Sequence, residues 1–374
     1  MVIGINGYEA VVPRFGYDKE GLPSRVGSGE FSFRLISEFS KDTNNKYIIY
    51  LPKAPTSDMP QETENFRYSV FTTKKLWTMT GLSKRLYADK EKIDVFLSPT
   101  HYLPLFVPCP SVVSILDVSY LHFPKLFKKK DLYQLKIWGG YSIRKSSAVI
   151  TISESSRSDI IRAYGLSPNK VTVAYPGLVE REKEDKPMDE LDKKYGVKGK
   201  YILFVGTLQP RKNIKRLIEA FSKLKDKDVD LVVVGKKGWM YDEIINSPSE
   251  FGVGNRVKFL DSVEDEDLST FYKNAIFFIL PSLYEGFGLP VLEAMEYGCP
   301  VITSNVSSLP EAGGDAVLYV NPEDAKDIAE KMQKLLQDDS LRKELVAKGR
   351  EQVKKFSWKK TAEQTIKVLE GLNK

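Results

Sequence analysis

Histidine and cysteine are nearly absent from this chain. Its 374 residues hold two of each: His101, His122, Cys109 and Cys299. So few histidines argue against a His-based zinc site and against a Ser-His-Asp relay. The two cysteines lie far apart, so no disulfide framework is implied, and a reducing compartment, the cytoplasm, is the simpler expectation. Long apolar runs are missing as well: none reaches the length of a membrane span. The N-terminus, MVIGINGYEA, has neither the basic n-region nor the apolar h-region of a secretion signal. Charge of one sign is in only mild excess, at +6. That suits an anionic substrate or contact with acidic lipid, and it is weak support for nucleic acid, which is not expected as a partner. Short-period repeats and low-complexity tracts are also lacking.

What the chain does have is two successive sets of alternating strands and helices. VIGIN, YIIYL, VFLSP, SVVSIL, AVITIS and KVTVAYP are strand candidates in the first half; YILFVG, DLVVVG, VKFLD, IFFILPS, CPVITS and AVLYV are those in the second. Helical patterns fall between them, at Phe31 to Phe39, Leu132 to Lys145 and Glu154 to Tyr164 in the first half. Near-continuous apolar strands that alternate with helices predict parallel sheets covered on both faces, an α/β chain of two domains. A charge-dense stretch from Val179 to Lys200 reads as a linker followed by a short surface helix. Phe356 to Leu372 reads as a separate amphipathic helix.

The most informative stretch is LPSLYEGFGLPVLEAMEYGCPVIT, Leu280 to Thr303. A strand runs into a Gly-rich turn with Glu285, and Pro290 then starts a helix that carries Glu293 near its beginning. Strand, turn and helix N-terminus make an anion site, because unpaired N–H groups and the helix dipole point at the ligand. Carboxylates do not bind phosphate, but they accept hydrogen bonds from hydroxyls. A ligand with both phosphate and hydroxyls, such as a nucleotide sugar, fits both halves. The plainer reading of Glu293 is a helix-start carboxylate favoured by the dipole; that reading leaves Glu285 unexplained.

Other candidates are weaker alone. Strand Tyr201 to Val205 leads through Gly206 to Arg211 and Lys212 before a helix from Ile214 to Leu224. Cations before a helix N-terminus oppose its dipole, so the pair suggests a bound diphosphate; two solvated surface charges are the alternative. Gly27, Ser28 and Gly29 open a helix in the first half, where a phosphate or merely a helix cap would explain them. Asp117 stands at a strand end, placed to bond a sugar or, more commonly, to cap a turn. His122 reads as structural, and Glu296 and Glu311 as surface or cap residues. FPKLFKKKDLYQLKIWGGYSIRK is basic and aromatic. Its commoner reading is a solvated helix face with aromatics packed inward, and its alternative is a peripheral contact with an anionic membrane.

Taken in order, these motifs resemble the retaining group 1 glycosyltransferases, glycosyltransferase family four, with the GT-B fold. The strongest match is E-G-F-G-L-P-V-L-E, which begins at Glu285 and ends at Glu293. G-T-L-Q-P-R-K-N, T-I-S-E-S-S-R-S-D-I-I, V-A-Y-P-G and F-S-W-K-K-T-A match further family elements, and the loop that begins at Asp117 is similar to mannosyltransferase-like members. The resemblance implies two Rossmann-like domains facing a cleft: residues 1–178 with 357–374, whose C-terminal helix crosses back to the first domain, and residues 179–356. It implies transfer of a hexose, with GDP-mannose as leading donor and UDP-glucose next, to a glycan or lipid-linked acceptor, without metal or cofactor. By the same resemblance, Arg211 and Lys212 neutralise the diphosphate, Glu285 binds sugar hydroxyls and Glu293 the ribose. Gly206, Gly286 and the backbone of Phe287, Gly288 and Leu289 would hold the donor, and Gly29 would approach phosphate from the other domain. Asp117 is the remaining catalytic candidate. At one position the chain departs from the pattern, because many relatives carry His where Leu116 stands. A catalytically silent nucleotide-sugar-binding or partner subunit of the same fold is therefore the second reading; an epimerase or phosphorylase of this fold fits less well.

Overall fold

The structure is a computed structural model that describes residues 1–13, 16–17, 19, 21–89, 91–178, 187–261 and 263–373. The chain divides into two compact units, Met1–Gly177 with Ser357–Lys374, and Leu178–Phe356. The first eight residues of the expected linker, 179–186, lie outside the described residues. Its helix forms at Met188–Tyr195, after Pro187, and ends at Gly196 in a left-handed turn.

The first unit is built on strands β1 Val2–Asn6, β2 Lys46–Leu51, β3 Phe66–Val70, β4 Val95–Ser98, β5 Ser111–Ser114, β6 Ala148–Thr151 and β7 Val171–Val173. All pairings are parallel, in the order β3-β2-β1-β4-β5-β6-β7. The second unit has β8 Lys200–Val205, β9 Val229–Val234, β10 Val257–Leu260, β11 Phe277–Leu280, β12 Val301–Ser304 and β13 Leu318–Val320, again all parallel, in the order β10-β9-β8-β11-β12-β13. The cause is legible in the chain. Central strands such as β8 and β11 are Val, Ile, Leu and Phe along nearly their whole length and are buried on both faces. Parallel neighbours then require the crossover helices that the sequence pattern shows.

Every strand expected from sequence is present, and one was not anticipated. β3, FRYSV, is a half-exposed edge strand whose Arg67 and Val70 face water, so it has no apolar run to reveal it. The helix expected over Leu132 to Lys145 is a composite: a helix at Lys129–Gln134, a π turn at Leu135–Gly139 and a helix at Gly140–Lys145. A π turn adds a residue to the repeat, which blurs a 3.6-residue pattern. Among the described residues, no helix is long and apolar enough to cross a membrane.

The C-terminal helix, Trp358–Gly371, belongs to the first unit and packs on helix Ser28–Phe39, with the Trp358 and Phe31 rings 5.7 Å apart. Ser357 caps it, its hydroxyl accepting from Lys360 N, and Thr361 Oγ1 donates to the Tyr175 carbonyl at 2.5 Å. Gly177 permits this approach. A Cβ there would lie 2.1 Å from Trp358 N and 2.5 Å from Ser357 C, backbone atoms that cannot step aside. Gly177→Ala is therefore expected to cost at least the ~1–3 kcal/mol typical of overpacking and to lower the melting temperature by several degrees. A calorimetric melt unchanged from the parent would contradict this packing.

Candidate active site

The strand order of the second unit reverses direction between β8 and β11. In open parallel sheets ligands bind beyond the carboxyl ends of the strands at this switch. Two loops meet there, Gly206 to Asn213 after β8 and Pro281 to Gly288 after β11, and they are bonded together. Asn213 adopts a left-handed conformation before helix Ile214–Ser222, and its Nδ2 donates to the carbonyls of Pro281 (2.9 Å) and Pro322 (2.7 Å). Leu283 N donates to the Arg211 carbonyl at 2.9 Å.

At the junction sits Glu285, only 7% exposed. Lys212 Nζ donates to its Oε1 at 2.6 Å, Ser282 Oγ to the same oxygen at 2.6 Å, and Arg211 Nη1 to its Oε2 at 3.1 Å. Arg211 also donates to the Tyr284 carbonyl. Burial by itself would raise the Glu285 pKa, but the charges of Lys212 and Arg211, with the bonds from Lys212 and Ser282, outweigh it and hold the carboxyl at about 2. The backbone of Glu285 is fixed too: its N–H donates to Ser307 Oγ at 3.0 Å, and its carbonyl accepts from Ser308 Oγ at 2.8 Å. One carboxylate between two cations leaves net positive charge in a buried place, which is a binding force for an anion.

The turn that follows is equally constrained. Gly288, at φ 104°, caps helix Leu289–Glu296, and a Cβ there would come within 2.7 Å of Leu309 Cδ2. Phe287 is buried and packs edge-on against Phe356 at 5.2 Å, so its side chain serves the core. Any ligand role left to Phe287 is that of its backbone, the role expected from sequence. Gly286 is buried in the same turn, and Gly206 follows β8 beside Lys212, where a Cβ would lie 3.6 Å from Lys212 Cε.

Glu293 differs from its expected placement. It is the fifth residue of its helix, a full turn in, and that helix has no acidic residue in its first turn. The dipole falls off within the first turn, so it does not explain this carboxylate. Glu293 is half-buried and accepts from Tyr272 OH at 3.1 Å, and the Tyr272 ring stacks on Tyr297.

In the first unit, Gly29 and Asp117 each have a local structural task. Gly29 is the second residue of helix Ser28–Phe39; its N–H donates to the Val26 carbonyl at 3.2 Å, and a Cβ would lie 3.1 Å from the Glu9 carbonyl. The Glu9 carboxylate bonds the Ser28 hydroxyl at this helix start, which places negative charge where a phosphate was expected. Asp117 Oδ1 accepts from Ser119 N at 2.8 Å and so caps the turn Ser119–His122. His122 Nε2 lies 3.0 Å from Asp159 Oδ2, a structural pairing. Concave surface lies elsewhere in each unit: about 540 Å³ beside β3, where Arg85 pairs with Asp89, and about 500 Å³ near Asp324. Neither is lined by the Glu285 cluster.

Sequence reasoning missed Ser282, Asn213 as the tie between loops, and the Ser307–Ser308 pair. Ser282 and Asn213 lie inside the quoted motifs and were within reach. Ser307 and Ser308 are some twenty residues downstream, with no local signal of their task.

A family model described as "Glycosyl transferases group 1" matches residues 187–352. The O-antigen chain mannosyltransferase B of Escherichia coli is 34% identical over 285 residues, covering 74% of this chain and 74% of that protein. The serotype-specific mannosyltransferase WbdA of Escherichia coli is 29% identical over 268 residues, covering 69% of this chain but only 32% of that longer protein. In fold, Anabaena HepE in complex with UDP and glucose superposes with a TM-score of 0.74 at 18% identity, over 100% of both chains. The chain belongs to the group 1 glycosyltransferases, of GT-B fold.

The Glu285 pKa carries a stability consequence. Because it falls on folding, from an ordinary 4.5 to about 2, the carboxylate contributes stability that is fully present above about pH 4.5 and is lost as pH falls toward 2. In urea titrations at a series of pH values, the stability gap between the parent and Glu285→Gln is expected to be constant near neutrality and to narrow below about pH 4.5. A gap that does not change with pH would show that Glu285 is not held ionised.

Proposed function

We propose that this glycosyltransferase moves a hexose, mannose first and glucose second, from a nucleoside diphosphate sugar to a hydroxyl of a glycan or lipid-linked acceptor, with retained anomeric configuration and without a metal or cofactor. The observation that carries the reading is the buried Glu285–Lys212–Arg211 cluster at the strand switch of the second unit. The names of the sequence relatives, O-antigen and serotype-specific mannosyltransferases, support mannose and, with it, GDP-mannose.

The difficult step is departure of the nucleoside diphosphate. As the bond from the anomeric carbon to the phosphate oxygen breaks, negative charge gathers on the β-phosphate. Arg211 and Lys212 stabilise it, assisted by the N–H groups of Phe287, Gly288 and Leu289 at the helix start. Before donor binds, Glu285 occupies both cations and stands in for the phosphate. The diphosphate competes for them, and the released carboxylate accepts hydrogen bonds from sugar hydroxyls, while Glu293 takes the ribose. The acceptor oxygen forms the new bond on the face that the leaving group vacates, and its proton passes to a phosphate oxygen, so no protein nucleophile is needed. We place the reaction in the cytoplasm, where nucleotide sugars are to hand.

The second reading, a silent donor-binding subunit, is favoured by Leu116 beside an Asp117 already used to cap a turn. Assay of the purified chain separates the two. GDP and GDP-mannose are expected to raise the melting temperature more than UDP and UDP-glucose, and GDP-mannose is expected to be consumed, with an α-linked product by NMR. Stabilisation by GDP-mannose without hydrolysis or transfer, even with lipid-linked acceptor present, would favour the silent subunit; no stabilisation by any nucleotide would sink both.

Lys212→Ala is expected to lower turnover by about 10²–10³-fold, the usual loss for one group that stabilises developing charge. The comparison counts only if circular dichroism shows the variant folded, since the lysine is 8% exposed and pairs a buried carboxylate. Near-parental turnover in a folded variant would remove Lys212 from the chemistry.

A further inference from the structure

Helix Asp265–Asn274 of the second unit is anchored along its length. Asp267, 2% exposed, accepts from Lys194 Nζ at 2.6 Å and from Tyr195 OH at 2.8 Å, both on helix Met188–Tyr195. The Phe271 carbonyl accepts from Tyr201 OH of β8 at 2.8 Å. A further anchor is Tyr272. Its ring meets that of Phe278 on β11, with centroids 5.5 Å apart, and stacks on that of Tyr297 at 5.7 Å. A fully buried ring with such neighbours has its side-chain angles set by close packing.

Packing alone does not account for the choice of tyrosine. Phe271, Phe277 and Phe278 are as fully buried as Tyr272 and carry no hydroxyl. A buried phenol needs an acceptor, and the Tyr272 hydroxyl donates to Glu293 Oε2 at 3.1 Å. Glu293 and Tyr297 are one turn apart, at the end of helix Leu289–Glu296 and at its C-cap. That helix end therefore meets Tyr272 twice, through a ring and through a carboxylate. Because Glu293 is only half-buried, one neutral hydrogen bond to it contributes little to folding. Its larger effect is directional. A glutamate side chain has several rotatable bonds and samples many orientations in water. A phenol hydroxyl fixed on Oε2 selects among them. A carboxylate accepts about four hydrogen bonds, so the same group has capacity for a pair of adjacent ligand hydroxyls.

We propose that Tyr272 is a positioning residue for the donor: it aims the Glu293 carboxylate at the adjacent hydroxyls of the ribose and so favours nucleotides that carry both. The inference rests on the ribose role proposed above for Glu293. Tyr272 itself touches no ligand; it acts through the carboxylate. A carboxylate already aimed loses less rotamer freedom when the ribose arrives, and the difference appears as affinity. The ribose does not change during transfer, so the gain is the same in the bound donor and in the transition state. It therefore lowers KM and leaves kcat alone.

The test compares GDP with 2′,3′-dideoxy-GDP, and UDP with 2′,3′-dideoxy-UDP, by titration calorimetry on the full chain. Tyr272→Phe keeps the ring and removes only the hydroxyl. It is expected to weaken binding of the preferred ribonucleotide by about 2- to 10-fold, the range for immobilising one side chain, and to leave its dideoxy form unaffected. The preference for ribose over dideoxyribose thus narrows. Glu293→Ala is expected to abolish that preference, and Tyr272→Phe added to it is expected to have no further effect. In turnover of GDP-mannose, Tyr272→Phe is expected to raise KM by the same factor with kcat unchanged. Equal weakening of both forms in Tyr272→Phe, or weakening of neither, would show that the hydroxyl serves only the core. The proposal would then fall, while loss of the preference in Glu293→Ala would keep the ribose role of Glu293. A ribose preference that survives Glu293→Ala would remove that role and the proposal with it, as would failure of all the nucleotides to bind.

Discussion

A carboxylate buried between two cations is the constraint on which the second unit's functional end depends. Glu285 cannot be solvated where it lies, and it stays ionised only because Lys212 and Arg211 reach it from the loop after β8. That electrostatic tie, with the Asn213 bond to the Pro281 carbonyl, joins loops some seventy residues apart in sequence into one structure. Removing one partner of such a group leaves a buried charge uncompensated, so the cluster is costly to disturb.

The first unit depends on close backbone approach instead. Gly177 lets the chain pass against Ser357 and Trp358, and that contact makes the C-terminal helix part of the unit that begins the chain. Gly29 is less tightly placed: a Cβ there would lie 3.1 Å from the Glu9 carbonyl oxygen, and its N–H donates to the Val26 carbonyl. Asp117 caps a turn. Each of these two residues thus has a local task in the fold, the plainer of the two readings that the sequence offers for it.

Much of this could be seen in the chain. Twelve of the thirteen strands are legible as short apolar runs, most plainly central ones such as β8 and β11, because a strand buried on both faces has no polar side to interrupt it. β3 escaped for the converse reason, being an edge strand with Arg67 and Val70 in water. The Glu285 to Glu293 stretch and the Arg211–Lys212 pair were visible as motifs. The π turn at Leu135–Gly139 was not, since it breaks the period by which helices are read.

Sequence alone determined the elements, their alternation and the chemical types brought to the strand ends, because these follow from local propensity and from burial pattern. Only the tertiary structure decided which charges meet. From sequence, Arg211 and Lys212 were reserved for phosphate and Glu285 for hydroxyls, as three separate roles. In the folded chain they are one ion cluster, because the order of strands in the sheet brings the ends of β8 and β11 side by side, and strand order depends on long-range pairing that no local pattern encodes.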